Sequence, residues 1–139
     1  MEKEIHILVA DDDHEDRAIM ADTFEEIGFS GAYFVEDGSL VLDYLSNLKE
    51  NNISLIILDL NMPCLNGTET LRALKAEPRY KEIPVIIFST SVNTVEKQNC
   101  ADLGALSYIA KPSRYSEYKE VCKMLIGIAM SKTAALRVD

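Results

Sequence analysis

The stretch Leu55-Ile56-Ile57-Leu58-Asp59-Leu60-Asn61-Met62-Pro63 decides the fold. Four apolar residues in a row, two of them β-branched, fit a strand covered on both faces, as in a parallel sheet. That run ends at a carboxylate, and the pattern recurs outward in both directions. Ile5 to Ala10 runs into Asp11-Asp12-Asp13, and Ala32 to Glu36 runs into Asp37. Val85 to Ser89 is followed by Thr90, and Leu106 to Ala110 by Lys111-Pro112.

Amphipathic stretches separate these runs. The first carries Ala18, Ile19, Asp22, Thr23, Glu26 and Ile27 and closes at Gly28. The second carries Leu40, Val41, Tyr44, Leu45 and Leu48, with Gly38-Ser39 supplying its capping start. The third runs from Gly67 through Leu71 and Leu74 and stops before Pro78, which a helix interior does not accommodate. A fourth spans about Asn93 to Leu103 with Gly104 as its stop, and a fifth runs from near Arg114 to about Met130. Strands alternating with helices predict an α/β fold, a doubly wound, five-stranded parallel sheet with five helices. Of the two common orders of such sheets, the flavodoxin-like 2-1-3-4-5 is the one expected. Residues 1–130 are expected to form one domain and residues 131–139 a frayed tail.

Composition narrows the function classes. The chain has 139 residues, 47% of them hydrophobic and 27% charged, as in a single globular domain. Its 14 Lys and Arg against 23 Asp and Glu give a net charge of -9. That balance argues against nucleic-acid backbones and anionic membrane surfaces, both of which select for basic patches. No apolar run approaches the ~20 residues of a membrane span, and the acidic start reads as neither signal nor transit peptide. Cys64, Cys100 and Cys122 are odd in number and lack C-x-x-C spacing. Reduced thiols and a cytoplasmic location are therefore expected.

Ligand sites in doubly wound sheets lie beyond the carboxyl ends of the strands. There the sequence places Asp11, Asp12 and Asp13, then Asp59, then Ser89-Thr90, then Lys111. Carboxylates crowded into one crevice repel each other unless a cation neutralises them, and a hard ion such as Mg²⁺ suits oxygen donors. Metal, hydroxyl and ammonium around one carboxylate would stabilise a transferring phosphoryl group, with the carboxylate as nucleophile. Simpler readings exist for each residue. Asp13 fits the N-cap of the first helix, Asp59 a turn before Pro63, Ser89 a buried hydroxyl, and Lys111 an ordinary surface lysine. His6 and His14 read as structural.

Taken together, V-A-D-D-D, L-D-L-N-M-P, F-S-T-S and I-A-K-P, each after its strand, resemble the receiver domain of two-component response regulators. The pattern is most similar to the single-domain chemotaxis regulator, and the likeness spans about residues 5 to 130. It implies that Asp59 accepts a phosphoryl group from a histidine kinase or phosphotransfer protein. It implies Mg²⁺ held by Asp12, Asp59 and the Asn61 carbonyl, with Asp11 on a metal-bound water. Lys111 and Ser89 would contact the phosphoryl oxygens, and Tyr108 would be the switch aromatic. Gly67 would let the loop after Asp59 turn, and the Lys111–Pro112 peptide is expected to be cis. The longer connections Lys49 to Asn52 and Glu77 to Glu82 resemble standalone receivers that work with phytochrome-type sensor kinases.

Such a protein is a signalling switch, catalysing only its own phosphorylation and dephosphorylation. A phosphatase of the haloacid-dehalogenase type would use Asp11 as nucleophile instead, but leaves Asp59 and its loop unexplained. A receiver fold that is never phosphorylated is disfavoured, because every acidic and basic position of the pattern is filled. An EF-hand fails because Asp16 stands where glycine is required. With no output domain after residue 139, output is expected through a protein contact. One stripe of the last helix (Tyr118, Cys122, Leu125, Ala129) suffices to pack on the sheet. Val121, Met124 and Ile128 then leave an apolar flank, which points to a partner or homodimer face of the fourth helix, fifth strand and fifth helix.

Overall fold

The computed structural model describes residues 4–90 and 93–136, with side chains to Ser131. Its strands are β1 (Ile7–Ala10), β2 (Ala32–Val35), β3 (Leu55–Leu58), β4 (Val85–Ser89) and β5 (Ser107–Ala110). All pair in parallel in the order β2-β1-β3-β4-β5. The helices are α1 (His14–Glu26), α2 (Gly38–Ser46), α3 (Gly67–Ala76), α4 (Thr94–Asp102) and α5 (Tyr118–Leu136), with a 3-10 turn at Tyr115–Glu117.

Two-residue periodicity splits the strand side chains between two cores. Leu8, Ile56, Leu58, Val85 and Ile87 point to the face covered by Val41, Leu45, Leu71, Leu74 and Cys100. Ile7, Val9, Leu55, Ile57, Ile86 and Phe88 point to the face covered by Met20, Phe24, Tyr118, Cys122, Leu125 and Ala129. β1, β3 and β4 are buried along their whole length, which is why they read as unbroken apolar runs. β2 and β5 are edges and only partly covered.

Local chemistry fixes the helix ends. Asp13 caps α1, accepting from the Glu15 and Asp16 N–H groups at 2.8 and 3.1 Å. The cap of α2 is Asp37, not Gly38-Ser39 as the sequence suggests. Its carboxylate accepts from the Leu40 N–H at 3.0 Å and the Ser39 hydroxyl at 2.6 Å, a charge-assisted cap a glycine cannot supply. Gly28 and Gly104 follow α1 and α4 with φ of 82° and 105°, the left-handed region that favours glycine.

Two further expectations are corrected. The Lys111–Pro112 peptide is trans, with no cis bond among the described residues. Trans is the intrinsically favoured isomer even before proline, and Lys111 reaches the crevice with it. Residues 131–136 continue α5 to Leu136 where a frayed tail was expected. Ser131-Lys132-Thr133-Ala134-Ala135-Leu136 contains no Gly or Pro, and its alanines and leucine are strong helix formers. Residues 137–139 of that expected tail lie outside the described residues.

Candidate functional site

β1, β3 and β5 deliver their terminal residues to one crevice at the carboxyl edge of the sheet. Asp11 follows β1 and is 2% exposed, Asp59 follows β3 and is 7% exposed, and Asp12 lies beside them in solvent. One carboxylate oxygen from each of Asp11, Asp12 and Asp59 lies within 4.8 Å of the others. Lys111 follows β5, and its Nζ donates to Asp11 Oδ2 at 2.6 Å, Asp16 Oδ2 at 2.8 Å and Asp59 Oδ2 at 3.2 Å. Its side chain is only 4% exposed. The cation that offsets the crowded carboxylates is thus the chain's own ammonium.

The electrostatics follow from this packing. Burial pushes the Asp59 carboxyl above the usual carboxylate range. The Lys111 charge opposes that rise, the Asp11 charge adds to it, and a backbone hydrogen bond from Asn61 opposes it again. Burial alone would lower the Lys111 ammonium, yet hydrogen bonds to Asp11 and Asp16 and the charges of Asp11 and Asp59 raise it above the usual lysine value. The anionic partners thus favour the Lys111 ammonium, while burial weighs against the Asp59 charge.

Backbone and neighbours hold these groups in place. The Asp59 N–H donates to the Ala10 carbonyl at 3.0 Å, and the Lys111 N–H to the Ser89 carbonyl at 2.9 Å. Asp11 is held at both ends: its Oδ1 accepts from the Asp13 N–H at 2.9 Å, and its carbonyl from Arg17 Nη1 at 2.8 Å. Gly67 packs against the backbone leaving Asp59, where a Cβ would collide with the Asp59 carbonyl and approach Leu60 Cα to 2.8 Å. Glycine is required there for close approach, at a φ that any residue could adopt.

Of the residues singled out from sequence, Asp11, Asp12, Asp59 and Lys111 come together as expected. Asn61 is exposed directly after Asp59 and Leu60. Ser89 is fully buried at the end of β4. Tyr108, half-buried on β5, lines a cavity of about 270 Å³ with Lys97, Cys100, Ala101, Ala105 and Leu106. Asp13 serves only as a cap. His6 bonds the Tyr33 hydroxyl at 3.1 Å and lies 3.3 Å from the Glu4 carboxylate, at the opposite end of β1 from Asp11 and the crevice. Cys122 and Cys100 are buried thiols pushed up by burial, Cys122 to about 12. Cys64 is exposed, at a φ of 66°.

Sequence reasoning missed Asp16 and Arg17. Asp16 was read only as the residue that defeats an EF-hand, although it stands one helical turn beyond Asp12, on the side facing Lys111. Arg17 lies next to it and also pairs with Glu36 at 3.7 Å.

The crevice brings two buried carboxylates, one exposed carboxylate and a buried ammonium to the strand ends of a 2-1-3-4-5 parallel sheet, where doubly wound sheets hold their ligands. Residues 7–123 match the response regulator receiver domain model, and the chain belongs to that family. The Campylobacter jejuni chemotaxis protein CheY homolog is 30% identical over 129 residues, covering 93% of this chain and 98% of its own. The Arabidopsis thaliana two-component response regulator ARR7 is 30% identical over 131 residues, covering 88% of this chain. This chain spans 63% of ARR7's length. The crystal structure of the phosphorylated cyanobacterial phytochrome response regulator RcpA superposes with a TM-score of 0.83 at 27% identity, covering 94% of this chain and 96% of its own.

Receiver domains are signalling switches that interact with histidine kinases or phosphotransfer proteins and bind Mg²⁺ in their acidic pocket. Membership excludes the haloacid-dehalogenase reading, whose nucleophile would be Asp11. Among the described residues, no helix is long and apolar enough to cross a membrane.

Proposed function

We propose that this protein is the phosphoacceptor of a two-component or phosphorelay system, with Asp59 the residue that carries the phosphoryl group. The observation that carries the reading is the placement of Asp59: nearly buried, at a strand end, beside two further carboxylates and 3.2 Å from a buried ammonium. An Asp59 carboxylate oxygen attacks the phosphorus of a phosphohistidine or small acyl phosphate. The bond from phosphorus to the donor breaks, and an acyl phosphate forms on Asp59. Lys111 balances charge on the transferring oxygens, and the Ser89 hydroxyl donates to one of them.

Asp11, Asp12, Asp59 and the Asn61 carbonyl are oxygen donors only, a set that fits Mg²⁺. Bound there, the ion would neutralise charge on the phosphoryl oxygens. Burial raises the Asp59 carboxyl, and the Lys111 ammonium beside it opposes that rise.

The phosphodonor we infer is a sensor histidine kinase or histidine phosphotransfer protein, and the compartment is the cytoplasm. The likeness to RcpA favours a phytochrome-type kinase among the candidates. Incubating the protein with acetyl phosphate and Mg²⁺ should add one phosphate-sized, alkali-labile mass. Equal labelling of Asp59→Asn would refute the assignment.

Ser89 and Tyr108 lie at the inner end of the face formed by α4, β5 and α5, and we infer that this face carries the output. Met124 is 43% exposed and Leu106 41%, and both line an apolar groove of about 410 Å³ with Gly127 and Ile128. Val121 and Ile128 are less open than the helical pattern suggests, because both are half-buried against the α1–α5 core. Sedimentation of wild type and Met124→Glu, each with and without beryllofluoride, should show a mimic-dependent dimer only in wild type. A monomer in all four samples would leave this face to a different protein.

A further inference from the structure

α1 and α3 both start beside the crevice with a capping residue and an acid three positions later. In α3 the acid serves the helix. Asn66 Oδ1 accepts from the Glu69 N–H at 2.9 Å, and Glu69 Oε1 accepts from the Asn66 N–H at 3.0 Å, a complete capping box. In α1 the cap is Asp13 and the acid is Asp16, yet the return bond is missing. The Asp13 N–H is taken by Asp11 Oδ1, and the Asp16 carboxylate turns to Lys111, 95 residues away, at 2.8 Å. The Asp16 carboxylate therefore makes no capping bond to its own helix.

Its target sits at the centre of the site. Lys111 shares its ammonium among Asp11, Asp59 and Asp16, and only Asp16 lies outside the Asp11–Asp12–Asp59 set. A divalent cation and the ammonium compete for the oxygens of Asp11 and Asp59. An ammonium buried to 4% exposure cannot simply retreat into water, since desolvated charge without a partner is costly. Asp16, at 25% side-chain exposure, gives it a partner that remains when the other two are engaged.

We propose that Asp16 is a positioning residue that holds the Lys111 ammonium against α1, so that Asp11 and Asp59 can take up a divalent cation without expelling the lysine. It acts on the cation through Lys111 and does not bind it. The proposal rests on the metal-assisted reading of the crevice given above.

The test is melting temperature against Mg²⁺ concentration, which reads the apparent dissociation constant by linkage. Removing the tether in Asp16→Asn should weaken Mg²⁺ about fivefold, the size of one charge-assisted contact discounted for partial exposure. Asp16→Glu should return the affinity to within about twofold of wild type. Lys111→Met should tighten Mg²⁺, and adding Asp16→Asn in that background should change affinity by less than about twofold, because the route runs through the lysine. An unchanged affinity in Asp16→Asn overturns the proposal. So does an equal fivefold loss in the Lys111→Met background, which would make Asp16 a plain field charge. Asp12→Ala separates the two levels of argument. If it keeps the full Mg²⁺ response, the crevice reading itself fails; if it loses that response while Asp16→Asn does not, only the role of Asp16 fails.

Discussion

Lys75 and Lys111 are both partly desolvated lysines that bond across the fold, and they behave in opposite ways. Lys75, near the end of α3, donates to the Lys81 and Ile83 carbonyls at 3.0 and 2.9 Å and pins the turn that leads into β4. Its partners are neutral, so burial lowers its ammonium below the usual lysine value, and the Glu82 charge only offsets this. Lys111 meets three carboxylates, and they overcome the burial cost and raise it. Burial of a lysine is thus no sign of function by itself. What distinguishes the crevice lysine is that its partners are anions gathered from two distant strand ends and a helix.

The comparison can be broken by deleting each lysine in turn. In metal-free buffer Lys111→Met should lose about 3 kcal/mol, since it strands buried carboxylates without a counter-charge. Added Mg²⁺ should recover much of that loss by replacing the missing charge. Lys75→Met should lose only about 1 kcal/mol and gain no extra recovery from Mg²⁺. Urea unfolding with and without Mg²⁺ measures both. Equal costs and equal responses would mean the two lysines do the same job.

A smaller effect sharpens the same contrast. Lys75 binds its proton less tightly folded than unfolded, so its contribution makes stability climb as pH rises toward the ordinary value of 10.5. Lys111 binds its proton more tightly when folded, so its contribution is complete below 10.5 and is lost as pH rises beyond it. Unfolding measured from about pH 9 to about pH 11 should show the rise flattened in Lys75→Met and the loss reduced in Lys111→Met. The same slope change in both variants would contradict the opposite signs.

Much of this was legible in the sequence, for definite reasons. β1, β3 and β4 lie in the sheet interior, so Ile7 to Ala10, Leu55 to Leu58 and Val85 to Phe88 must be apolar on both faces, and they read as such. Parallel topology brings residues at strand ends together, so Asp11, Asp12, Asp59 and Lys111 could be placed without knowing a distance. The edge strands β2 and β5 were each placed with one end off by a single residue, because half-covered strands lack a sharp apolar boundary. β1 starts at Ile7 and not at Ile5, beyond the polar His6.

What escaped depends on side-chain direction. Asp16 looks like one more acid in the first turn of a helix. Only the loss of its capping bond to Asp11, and the arrival of a lysine from β5, give it another role. Asp37 was passed over as the cap of α2 because it reads equally well as the end of β2. The extension of α5 was missed because hydrophobic periodicity fades after Met130 while helix propensity does not.

A chemical trap locates the phosphoryl group that we place on Asp59. Borohydride reduces an acyl phosphate on aspartate to homoserine, so labelling with acetyl phosphate and Mg²⁺, reduction and peptide sequencing would locate the acceptor. Homoserine is expected at position 59, with unaltered aspartates at positions 11, 12 and 16. Homoserine at Asp11 or Asp12, or its absence from every position of a protein that carries the phosphate mass, would contradict it.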